Sequence, residues 1–114
     1  MKRITIFFTL SFLFLHCPFL VATPPSAINI EYNADAQALH IEIKHVSRDL
    51  NEHYIRRMVV TKNDQEIKKF TYSRQPSATG LSEDVALDAQ SGDIIRVKVF
   101  GNKSGPKEET FVVP

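Results

Sequence analysis

Hydrophobic and polar residues alternate with a period of two along much of the chain after residue 27, as in strands with one face buried. In Ala38–His45, Leu39, Ile41 and Ile43 fall on one side and His40, Glu42 and Lys44 on the other. Ile94–Phe100 repeats the pattern, with Ile95, Val97 and Val99 inward and Arg96 and Lys98 outward. Less regular runs predict further strands over Ile28–Tyr32, Tyr54–Thr61, Glu66–Thr71, Ser82–Leu87 and Glu109–Val113. Turn residues separate them at Asn33-Ala34-Asp35, Lys62-Asn63-Asp64, Ser91-Gly92-Asp93 and Asn102 to Pro106. Ser73–Leu81 reads as a loose inter-strand loop. No apolar stripe at helical spacing follows residue 27, so helix is limited to a turn or two. About seven short strands without helices predict an all-β fold, an immunoglobulin-like β-sandwich, as one domain over residues 23–114.

Residues 1–22 have a different character. Lys2 and Arg3 precede an apolar run, Ile4 to Leu15, broken only by Thr and Ser, and Phe19-Leu20-Val21-Ala22 follows. This is the layout of a secretory signal peptide cut after Ala22. The run is short against the roughly 20 apolar residues of a membrane span, and His16-Cys17-Pro18 interrupts it. The expectation is a periplasmic or secreted chain with no membrane span after cleavage. Two alternatives stay open, an uncleaved N-terminal anchor and a lipoprotein attached through Cys17; against the second, His16 stands where a lipobox has a small residue.

Cys17 is the only cysteine, so cleavage would leave no disulfide and no thiolate ligand. Of the 14 Lys and Arg, Lys2 and Arg3 belong to the leader, which leaves 12 against 13 Asp and Glu. That near balance argues against a nucleic-acid partner. Arg56, Arg57, Lys62, Lys68 and Lys69 cluster locally, but the interspersed Asp64 and Glu66 read as a solvated face rather than an anion site. No Ser/His/Asp or Cys/His set has meaningful spacing, and no glycine-rich phosphate loop is present.

Two short runs carry a likeness to a known family. Glu52-His53-Tyr54-Ile55 resembles the Glu-His-(Tyr/His)-Ile stretch that opens a central strand in superoxide reductases, the desulfoferrodoxin family. Phe100-Gly101-Asn102-Lys103-Ser104-Gly105 resembles that family's Tyr-Cys-Asn-x-His-Gly loop. Members of the family hold one ferrous ion with four histidines and one cysteine. Imidazole suits ferrous iron, and a thiolate opposite the substrate tunes it for reduction.

The resemblance implies that His53 keeps a ligand position while four others have changed. Ser26 stands at the first histidine, Ser47 six residues before His53 at the second, Gly101 at the cysteine and Ser104 at the last histidine. The family's lysine close before the first histidine is also absent, since Thr23, Pro24 and Pro25 occupy that region. A rebuilt centre would need His45 beside His53, with Glu52 as an oxygen donor; His40 faces away if His45 faces inward. The plainer reading makes His45 and His53 ordinary, partly exposed loop residues.

The expectation is an exported, desulfoferrodoxin-like (superoxide reductase-like) domain whose iron site is dismantled, working without a cofactor as a binding or accessory module. Its expected partner is another exported protein, with homo-oligomers left open. The alternative is an iron-binding oxidoreductase of the superoxide reductase type with altered ligands. A further alternative is a scaffold or carrier subunit in sulfur metabolism.

Overall fold

The computed structural model describes residues Thr23–Pro114. The expected signal peptide, with Cys17, lies outside the described residues. Seven strands follow in order: β1 Ala27–Asn33, β2 Ala38–Lys44, β3 Ile55–Lys62, β4 Gln65–Thr71, β5 Gly80–Ala86, β6 Ile94–Gly101 and β7 Pro106–Val112. They form two antiparallel sheets, β1-β2-β5 and β4-β3-β6-β7, with no helix among the described residues.

The alternation read from the sequence is the packing plan. Leu39, Ile41 and Ile43 of β2 meet Met58 and Val60 of β3 and Ile95, Val97 and Val99 of β6 in one core, all essentially inaccessible to solvent. Burying such side chains contributes about 1.5–3 kcal/mol each, which lets a chain of this size close on one core. The central strands β2, β3 and β6 supply most of it. β4 and β7 are edge strands and largely exposed, so their alternation is weak.

That explains the largest boundary difference, larger than that of β5, which starts at Gly80 rather than Ser82. β7 starts at Pro106, not Glu109, because a proline on an edge strand need not donate to a neighbour.

Tight turns follow residue chemistry. Asn63 (φ 51°) and Asp64 (φ 69°) both adopt left-handed conformations between β3 and β4, the type I′ pattern that suits a two-residue hairpin. Asn63 Oδ1 also accepts from the Ile94 N–H at 2.9 Å, tying this hairpin to the start of β6. At the opposite end, Gly80 (φ 141°) approaches the Ile43 carbonyl so closely that no β-carbon fits.

Ser73–Leu81 is not loose. Its backbone carbonyls at Thr79 and Ala78 accept from the N–H groups of His45 and Ser47, both at 2.9 Å. Its own Gln75 is fully buried.

Candidate functional site

β2 ends at Lys44, β3 begins at Ile55, and β6 ends at Gly101 opposite Ile55. β1 begins at Ala27, paired with Lys44. Antiparallel pairing therefore gathers Ser26, His45, Ser47, His53, Gly101 and Ser104 at one end of the sandwich, although the sequence spreads them over most of the described chain.

His45 and His53 stand together, with ring centroids 4.6 Å apart and planes at 81°. His45 is 1% exposed, which corrects the reading of it as a partly exposed loop residue. It continues the inward phase of Leu39, Ile41 and Ile43 one step beyond the end of β2. His53 is half-buried. His40, with the opposite phase, points outward and pairs with Asp84 at 2.7 Å.

The surroundings of His45 orient it. The Gln75 amide nitrogen donates to the carbonyls of His45 (2.7 Å) and Ser77 (2.8 Å), which directs its Oε1 to His45 Nδ1 at 2.7 Å. Nδ1 is therefore the donor in that bond. The other ring nitrogen, Nε2, faces the Thr23 carbonyl at 3.1 Å, and His53 Nε2 faces the same oxygen at 3.3 Å. Two imidazoles from separate segments thus converge on one backbone oxygen of the leading strap.

The remaining family positions have internal structural contacts. Ser26 donates from its backbone N–H and its hydroxyl to the Lys44 carbonyl, at 2.8 and 3.2 Å, and so starts the β1–β2 ladder. Ser47 is buried, with its hydroxyl in reach of the carbonyls of Asp49 and His53, so it fastens the 47–53 loop to itself. Glu52 turns outward to Lys103 (3.7 Å) and away from the histidines. Asn102 accepts from the Tyr54 N–H (2.8 Å) and donates to the Glu52 carbonyl (2.9 Å), clamping the β6–β7 loop to the approach of β3. Gly101 and Ser104 pack directly against each other.

Comparison with solved structures yields two matches. The superoxide reductase (neelaredoxin) from Ignicoccus hospitalis aligns with a TM-score of 0.51 at 10% identity, over 79% of this chain and 82% of that one. A point variant of the same protein aligns at 0.53 and 10% identity, over 78% and 79%. The sandwich is superoxide reductase-like. At this identity the likeness concerns the fold alone. No family model and no curated protein matches the sequence.

The side chains at this end do not fit the four-histidine, one-cysteine centre that the resemblance implies. Among the described residues no three His, Cys, Asp or Glu side chains gather closely enough to hold a metal ion. The Ser26 and Ser47 hydroxyls are bonded to backbone carbonyls, and Gly101 carries no donor atom on a side chain.

Two participants carry no sequence signal. Gln75 is a glutamine in a polar stretch, and only the tertiary fold reveals it as buried. The Thr23 carbonyl is a backbone atom, invisible to any side-chain motif.

Proposed function

We propose that this chain is an exported, non-catalytic binding or accessory module built on a superoxide reductase-like sandwich, with another exported protein as its partner. One observation carries the reading. The point on which His45 Nε2 and His53 Nε2 converge is filled by the chain's own Thr23 carbonyl. Side chains that would complete an iron site instead hold loops to strands, which supports a structural use for this end. Loops fixed on a rigid sandwich form a recognition surface, and the exposed edges of both sheets offer backbone groups for strand addition.

A second reading, an iron-binding oxidoreductase with altered ligands, draws on the same convergence. Two imidazoles already meet at one point, and a strap that swung away would leave their nitrogens facing a common centre.

Elemental analysis separates the two. The full chain would be exported in iron-supplemented medium and purified without chelator, with His53→Ala beside it. The module reading expects iron and zinc far below one per chain in both proteins. Near-stoichiometric metal that disappears in His53→Ala would overturn it in favour of the second reading.

A further inference from the structure

The outer face of the four-stranded sheet carries a feature unrelated to the histidine end. The β3–β6 register slips between Ile55, opposite Gly101, and Arg57, opposite Phe100. Arg56 is therefore the extra residue of a β-bulge, and a bulge redirects side chains that alternation would send to opposite faces. Here it lets two consecutive arginines reach one ring. The Arg56 and Arg57 guanidinium carbons lie 5.5 and 4.3 Å from the Phe100 centroid, and Lys98 Nζ lies 5.5 Å from it.

The register maps the surroundings. One row across the sheet runs Lys69, Val59, Lys98, Glu108, and the next runs Thr71, Arg57, Phe100, Pro106. A third runs Glu66, Thr61, Arg96, Thr110, where Arg96 is already paired with Asp64 at 2.6 Å. Among the described residues, none of Arg56, Arg57, Lys69 and Lys98 forms an ion pair, although Glu108 lies directly opposite Lys98. Arg57 Nε is buried with no hydrogen-bond partner. Three cations around one aromatic ring, with Lys69 on the neighbouring strand, repel one another in a chain with nearly balanced total charge.

We propose that this face docks an extended acidic segment of the partner protein, an inference that rests on the module reading above. Arginine and aromatic side chains around a desolvated centre are the usual composition of a binding hot spot, and a guanidinium fork matches a carboxylate in shape and charge. Lys69 and Lys98 lie two strands apart, roughly 10 Å, and same-side residues of an extended segment repeat about every 7 Å. The long lysine stems can take up the difference of about 3 Å, so acids on one side of such a segment come within reach of Lys98 and Lys69 in turn. An anionic bilayer fits less well, because Glu66 and Glu108 share the face and Phe100 lies under the arginines rather than projecting as an apolar anchor.

The test is a titration of the isotope-labelled protein, purified after export of the full chain, with a roughly eight-residue peptide alternating glutamate and valine, followed by backbone amide shifts. Shifts should concentrate on β3 and β6 around Arg57, Lys98 and Phe100. Affinity should fall at least tenfold in an Arg56→Gln/Arg57→Gln variant and again in Phe100→Ala. Both variants alter surface side chains, and their amide spectra report whether the fold is kept. Phe100→Ala alone supplies the test if the double variant unfolds. Scattered shifts, unchanged affinity in a folded variant, or equal binding of a lysine-valine peptide would overturn the proposal. Vesicles of phosphatidylglycerol that bind more tightly than the peptide would also overturn it, in favour of a membrane surface. Metal content decides the module reading independently, so either can fail alone.

Discussion

The Ser104 hydroxyl occupies the space that a β-carbon on Gly101 would need, and it is buried there without a hydrogen-bond partner among the described residues. The two positions are coupled. Glycine at 101 is what allows serine at 104 to fold back over the end of β6. Gly101→Ala should destabilise the protein by about 1–3 kcal/mol through overpacking, whereas Ser104→Ala should be nearly neutral because the hydroxyl it removes is unsatisfied. In a Ser104→Gly background the Gly101→Ala cost should largely vanish. Urea unfolding of the four proteins gives the coupling, and purely additive effects would show that the contact does not constrain the pair.

Gln75 joins three segments through four hydrogen bonds. Its amide reaches His45 and Ser77, its Oε1 takes His45 Nδ1, and its backbone N–H donates to the Leu50 carbonyl at 3.0 Å. Gln75→Met keeps the volume and removes the side-chain bonds, which leaves His45 Nδ1 and the His45 carbonyl unpaired in a buried site, while the Ser77 carbonyl keeps the Gly80 N–H at 3.3 Å. The expected loss is about 2–4 kcal/mol, read from the urea midpoint. A loss near that of a surface substitution would mean that water replaces the amide.

Asp93, at the opposite end, is expected to contribute acid sensitivity. The Gln90 backbone N–H, the Asn63 amide and the Lys62 ammonium hold its carboxyl below the usual range. A depressed carboxylate contributes stability that is present above its unfolded value, about 3.9, and is lost as pH falls through the lower folded value. The thermal midpoint should therefore drop more steeply below about pH 4 in the wild type than in Asp93→Asn. Parallel curves would rule the contact out as a source of acid sensitivity.

Tyr72 acts in the other direction. Burial raises its phenol, and the hydrogen bond to Glu83 at 2.7 Å and that residue's charge raise it further. A raised phenol contributes stability that is full below its unfolded value, about 10, and is lost as pH rises above it. Tyr72 should resist ionisation in an ultraviolet titration until the protein unfolds, and Tyr72→Phe should remove that late component. A late component that persists in the variant would assign it to another tyrosine.

The sequence made the sandwich legible because burial on one face forces period-two alternation. β2 and β6 show it most clearly, being central and apolar inward. β7 is an edge, with little burial to pattern it, and there the boundary drifts. The candidate site was legible only as positions. Ser26, Ser47, Gly101 and Ser104 could be placed by likeness, but their contacts could not, because each bonds to a backbone atom or fills a space that only the tertiary fold creates. The bulge at Arg56 was hidden for a similar reason. A one-residue slip in pairing leaves no mark on composition, and a basic cluster that reads as solvated acquires an aromatic centre only when β6 lies beside β3.

A leader cut after Ala22, if it occurs as the sequence leads one to expect, would tie export to charge at the Thr23 carbonyl. A cut after Ala22 would turn Thr23 into the first residue, so that a free α-amino group, protonated below about pH 7.7, would sit on the same residue whose oxygen faces the Nε2 atoms of His45 and His53. Cleavage would then place a positive charge beside the point on which the two imidazoles converge. The trimmed chain would repel metal electrostatically, and the untrimmed chain, with an uncharged peptide bond there, would not.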